Sequence, residues 1–209
     1  AESIIPDYQS FIHVLEEKGG CTVLEPDPDA VKAYNHILAQ GTKPENIIVI
    51  GDSAGGNLTL ELAVYLKEHH IPQPKMLILV SPLTTLANDL PSRAYNIDQD
   101  LVLGRNASPL YKAVEESTYA RGTDLKDHRL SPLYADLKGL PPMLIQAGGY
   151  ELLLDDSIEL MRKAVADDVD VTLTVYPGMP HEFSLMMPEL DDNVASFREI
   201  RDFVNRQMR

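Results

Sequence analysis

The sequence predicts an α/β fold, a mostly parallel sheet flanked by helices, on three observations. Four short apolar runs are bounded by turn residues, longer segments with apolar residues three and four apart lie between them, and the two kinds of segment alternate. That alternation is the order right-handed strand–helix–strand crossovers produce. The first run, Ile47-Ile48-Val49-Ile50, lies between Asn46 and Gly51. The second, Met76-Leu77-Ile78-Leu79-Val80, lies between Pro74 and Ser81-Pro82, and the third, Met143-Leu144-Ile145, follows Pro141-Pro142. Continuously apolar runs of this length are expected to be covered on both faces. The fourth, Val171-Thr172-Leu173-Thr174-Val175-Tyr176, alternates with threonine and stops at Pro177-Gly178, so it predicts a half-exposed edge strand.

Helices are expected between and around these runs. Residues 29–40 form a helical pattern that stops at Gly41, a usual terminator. Residues 54–70 carry Leu58, Leu62 and Leu66 on one face with Ala63 beside them. Residues 157–168 place Ile158, Met161 and Val165 on one face, with Ser157 as the expected cap. The last segment offers Val194, Phe197, Ile200, Val204 and Met208 as its inward face. Residues 83–140 break the alternation with Pro91, Pro109 and Pro132 and one helical stretch at 110–119. They read as an excursion over the sheet edge where α/β proteins keep their sites.

Composition bounds the function. At 209 residues, with 44% hydrophobic and 24% charged side chains, the chain predicts one globular domain, 1–209. Its 18 basic and 32 acidic residues give a net charge of −14, which repels polyphosphate and argues against a nucleic-acid partner. No stretch is apolar for long enough to span a membrane. The single Cys21 excludes an internal disulfide framework and a multi-cysteine zinc site, and suits a small buried residue. The chain opens at Ala1 with no Met and no signal peptide, and a cytoplasmic location is expected.

The sharpest chemical signal is Gly51-Asp52-Ser53-Ala54-Gly55-Gly56. It follows an apolar run and opens a helix, the setting of a nucleophile elbow. The turn would lift the Ser53 hydroxyl off the sheet, and Gly51 and Gly55 are expected to give the strand and helix room to approach. A helix start that merely contains Ser and Gly is the plainer alternative.

A serine hydroxyl needs a base to take its proton, and the base needs an acid to orient it. His181 lies in the loop after the last strand, at the same sheet end as Ser53. His69 and His70 end a helix, His13 and His36 fall within helical patterns, and His128 sits beside Asp127 and Arg129. His181 is therefore the base by elimination and position. Three carboxylates after Gly148-Gly149 compete for the acid. Glu151 comes soonest after the strand, Asp155 is the alternative, and Asp155 and Asp156 also suit a helix N-terminus.

These segments resemble the hormone-sensitive-lipase-like carboxylesterases, a group of α/β-hydrolases. The matching residues are Gly-Asp-Ser-Ala-Gly-Gly at 51–56, Ser81-Pro82, Ser131-Pro132-Leu133, Leu140-Pro141-Pro142 and Gly178-Met179-Pro180-His181. The resemblance runs from about Ile47 to the C-terminus. It implies the α/β-hydrolase fold and places the acid in the slot read here as Glu151-Leu152-Leu153, with Glu where the group more often has Asp. It also implies an upstream His-Gly-Gly-Gly segment that supplies oxyanion donors. No such segment stands in this sequence, and Ala54 N–H is left as the clear donor. The sequence accordingly reads as part of a longer parent that has further segments before Ala1 and near Leu24-Glu25.

The activity so implied is a serine carboxylesterase of short acyl esters, working through an acyl-enzyme with Ser53, His181 and Glu151 and without metal or organic cofactor. An amidase or formamidase on the same residues, and a non-catalytic ligand-binding relative, are the alternatives. The resemblance further implies a homodimer through the last strand, near residues 171–175.

Overall fold

The computed structural model describes residues 28–105 and 123–208. Cys21, His13, the Gly19-Gly20 pair and the expected helix at 110–119 lie outside them. The elements are α1 (Pro28–Ala39), β1 (Ile48–Asp52), α2 (Ala54–Glu68), β2 (Met76–Val80) and α3 (Ser92–Tyr95), then β3 (Met143–Gly148), α4 (Leu154–Ala166), β4 (Val171–Tyr176), α5 (Phe183–Met186) and α6 (Asp191–Gln207). Among the described residues the sheet has four strands, all parallel, in the order β1-β2-β3-β4. This is the α/β-hydrolase architecture expected from the sequence. No helix among the described residues is long and apolar enough to cross a membrane.

Alternate side chains of a strand face opposite ways, and β2 and β3 bury every position on both faces. Leu77, Leu79, Met143 and Ile145 pack with Leu60, Ala63 and Val64 of α2 and with Leu160 and Ala164 of α4. On the opposite face, Met76, Ile78 and Leu144 pack with Ile200 and Phe203 of α6. Each of the larger of these side chains, alanines aside, contributes about 1.5–3 kcal/mol by leaving water.

Several expectations need correction. Ile48, Val49 and Ile50 are only partly buried, because β1 lies at one end of the described sheet. Helix α2 is buried almost all round, Thr59 and Glu61 included, rather than along one stripe. Ser157 does not cap α4: the helix starts at Leu154, and the buried Ser157 hydroxyl stands inside it with no hydrogen-bond partner among the described residues. Val165 is exposed, and α4 faces the core with Leu160 and Ala164. On α6, Val194, Phe197 and Met208 are exposed while Asn193, Ser196, Ile200 and Phe203 are buried. Polar bonds set that rotation. Glu199 accepts from Thr174 Oγ1 at 2.5 Å, Tyr176 OH at 3.0 Å and Gln146 Nε2 at 2.6 Å, so this face turns inward despite its charge.

The in-line register brings Asp52 beside Val80, Val80 beside Gln146 and Gly148 beside Tyr176. The segments after all four strands therefore meet at one sheet edge.

Candidate active site

Ser53 follows β1 directly, with φ 50° and ψ −117°, a region that side chains seldom occupy. Its N–H donates to Val80 O at 2.9 Å, and its carbonyl accepts from Gly56 N at 3.0 Å and Leu83 N at 3.0 Å. The sheet, the helix and the loop after β2 thus hold the bend jointly. A Cβ on Gly51 would lie 2.1 Å from Gly55 O, and one on Gly56 would lie 2.7 Å from Pro82 Cβ. Gly55 was expected to be the second indispensable glycine, but a Cβ there meets only Asp52 Oδ1 at 3.8 Å. The close approach falls one residue later, where α2 crosses the Ser81-Pro82 turn.

His181 and Glu151 come to the same edge on adjoining loops. The loop after β4 turns at Gly178, with φ 76°, and lies directly over the end of β3. A Cβ on Gly148 would stand 2.3 Å from Met179 O, so only glycine admits this crossing. His181 Nε2 is 3.0 Å from Ser53 Oγ, and His181 Nδ1 is 3.1 Å from Glu151 Oε2. Glu151 is fully buried and His181 is 2% exposed. A carboxylate at Nδ1 makes that nitrogen the N–H donor, leaving Nε2 to accept the serine proton.

Burial pushes the Glu151 carboxyl up, against the bonds from His181 and Ser81 that favour its charge. Burial lowers His181, but the Glu151 bond and the nearby charges of Glu151, Glu182 and Asp100 outweigh it and leave the imidazole above its ordinary value. An imidazole so placed is a stronger base than a free one.

The competing carboxylates are committed elsewhere. Asp155 accepts from Ser92 N at 2.8 Å and Tyr95 OH at 3.1 Å. Asp156 accepts from Thr84 N at 2.8 Å and pairs with Arg93 at 2.9 Å, all buried. The other described histidines lie away from this edge: His36 in α1, His69 and His70 just past α2, and His128 beside Glu68 at 3.4 Å. Ala54 opens α2, where a backbone N–H has no acceptor within its own helix. Among the described residues, no group of three or more His, Cys, Asp or Glu side chains is placed to hold a metal ion.

Three nearby groups carried little sequence signal. Buried Ser81, with φ 46°, bonds the Glu151 carboxylate and accepts from Glu182 N at 3.3 Å. The sequence marked it only as part of the Ser81-Pro82 pair after a strand, with no role attached. Glu182 Oε1 lies 3.8 Å from His181 Nε2. Burial and a carboxyl–carboxyl bond to Asp52 push Glu182 up to about 7. Asp100 sits in the excursion, far from the motifs in sequence.

A family model described as alpha/beta hydrolase fold matches residues 26–185. The chain belongs to the alpha/beta hydrolase fold family. It is 38% identical over 181 residues to an esterase of Acinetobacter venetianus, a match covering 83% of this chain and 59% of the relative. It is 34% identical over 164 residues to an acetyl-hydrolase of Streptomyces hygroscopicus, covering 78% of this chain and 54% of that one. Among solved structures, the hormone-sensitive-lipase homologue EstE7 from a metagenome library superposes with a TM-score of 0.80 at 35% identity, over 87% of this chain and 61% of its own. The chain thus spans between half and two thirds of the length of each of these relatives.

Proposed function

We propose that the protein is a serine carboxylesterase acting on short-chain acyl esters. The observation that carries this reading is the chain of contacts from Ser53 Oγ to His181 Nε2 at 3.0 Å and from His181 Nδ1 to Glu151 Oε2 at 3.1 Å. Ser53 Oγ attacks the ester carbonyl as His181 Nε2 takes its proton. Glu151 holds the imidazole tautomer and stabilises the imidazolium that forms. The Ala54 N–H donates to the tetrahedral oxyanion. His181 then passes the proton to the leaving alcohol, which departs and leaves an acyl-Ser53. Water, deprotonated by His181, attacks that acyl group and releases the acid and Ser53. The named esterase and acetyl-hydrolase relatives support an ester substrate with a small acyl group.

Fluorophosphonate labelling followed by peptide mapping tests the nucleophile. The intact protein should be labelled at Ser53 and Ser53→Ala should not; labelling at another residue would refute the assignment. A parallel series of acetyl, butyryl and longer acyl esters, with an acetyl amide as comparison, tests the substrate class. The reading requires the acetyl and butyryl esters to be cleaved fastest.

A homodimer through the edge of β4 belongs to the same reading. Val175 of β4 and Val194 and Phe197 of α6 are exposed apolar side chains that such a contact would cover. Sedimentation of Val175→Lys against the unsubstituted protein tests it, with a dimer expected only for the latter.

A further inference from the structure

We propose that Asn96 and Asp100 form a clasp that positions the acid and base of the triad. The inference rests on the serine-esterase reading above and assigns both residues as positioning residues. Both side chains are buried, at 2% and 3% exposure, and neither takes part in the proton transfers. They stand four residues apart, with Asp100 N donating to Asn96 O at 3.0 Å.

From that turn the two side chains grip the Glu151 loop on both sides. Asn96 Nδ2 donates to Glu151 O at 2.9 Å and Gly149 O at 3.2 Å. Asp100 Oδ2 accepts from Leu152 N at 2.8 Å. The carbonyl and the N–H of the one Glu151–Leu152 peptide are thereby both fixed, and the Gly149 carbonyl with them. The other carboxylate oxygen, Oδ1, accepts from His181 N at 3.4 Å and from Val102 N and Leu103 N at 2.9 and 3.2 Å. One carboxylate thus joins the acid's loop, the base's loop and its own turn.

The turn itself is built tightly. Arg105 N donates to Ile97 O at 2.8 Å and Gly104 N to Asp100 O at 3.1 Å. A Cβ on Gly104 would stand 2.1 Å from Asp100 O. A buried carboxylate is costly unless its hydrogen bonds are made. Here backbone N–H groups of two active-site loops make them, so the burial of Asp100 depends on those loops holding this arrangement. The Asp100 charge also faces His181 and Glu151 and favours the imidazolium.

The closing experiment uses Asp100→Asn and Asn96→Ala in the intact protein, normalised to the fraction labelled by fluorophosphonate at Ser53. Displacement of catalytic groups by around an ångström costs about 10²-fold in rate, so kcat per labelled site should fall by about that factor while KM holds. In Asp100→Asn the acid limb of kcat/KM should also move to lower pH, because a negative charge facing His181 is removed. Its downfield imidazole N–H proton resonance should shift in both variants. A merely structural role would lower the melting temperature and the labelled fraction, leaving kcat per site, the acid limb and the resonance unchanged; that result overturns the clasp. If Asp100→Asn does not fold, Asn96→Ala decides alone, by kcat per site and the resonance. An unlabelled Ser53 in the unsubstituted protein would instead overturn the esterase reading, and the clasp with it.

Discussion

Ser53 holds a backbone conformation, φ 50° and ψ −117°, that glycine adopts freely and serine does not. Strain of this kind costs about 1–3 kcal/mol and is held by the carbonyl's bonds to Gly56 N and Leu83 N. Ser53→Gly should therefore raise stability by about 1 kcal/mol while turnover falls by roughly 10⁴-fold or more. Thermal unfolding and ester hydrolysis on one preparation check both halves. In the proposed mechanism His181 must be neutral to accept the serine proton, so activity should fall as pH drops through its pKa. Since the imidazole sits above its ordinary value of 6.5, the acid limb of kcat/KM should have its midpoint above that value. Glu151→Gln removes the negative charge that helps raise it, and should move that limb downward.

At the scale of elements, packing at the elbow is decided by which backbone lies opposite each glycine. Gly51→Ala and Gly56→Ala drive a Cβ into the Gly55 carbonyl and into Pro82, and each should destabilise by about 1–3 kcal/mol, as overpacking does. Gly55→Ala makes only an ordinary van der Waals contact with Asp52 Oδ1 at 3.8 Å and should be neutral or stabilising by up to about 1 kcal/mol. Urea denaturation of the three variants separates them. The excursion is tied to α4 by the buried Arg93–Asp156 pair, which also holds Thr84 N and Thr85 N. Arg93→Met leaves that carboxylate buried without its cation and should cost about 3–5 kcal/mol.

Across the whole molecule, the net charge of −14 is self-repelling, and buried carboxyls, Glu61 with Glu151, Asp156 and Glu182, give folding a pH dependence. Glu61, within α2, is pushed up to about 8 by burial and by Asp127 and Glu68, against Arg129. Below 4.5 both folded and unfolded chains hold this proton; between 4.5 and about 8 only the folded chain does. Unfolding then releases a proton, so stability should decline as pH rises through that window. Glu61→Gln should flatten the decline, read as melting temperature against pH. The alternation of apolar runs with helical patterns was enough to determine the α/β class and the four strands of the described residues, because apolar runs this short have few other ways to be buried. The sequence also determined Ser53 and His181 as the candidates, since a glycine-flanked serine after a strand and a histidine after the last strand must reach one edge of a parallel sheet. It left Glu151 and Asp155 both open and did not reveal Asn96, Asp100 or the inward face of α6. Those were decided only in the tertiary structure, because they depend on which buried backbone N–H or carbonyl finds which partner across the fold, and such pairings have no periodicity along the chain.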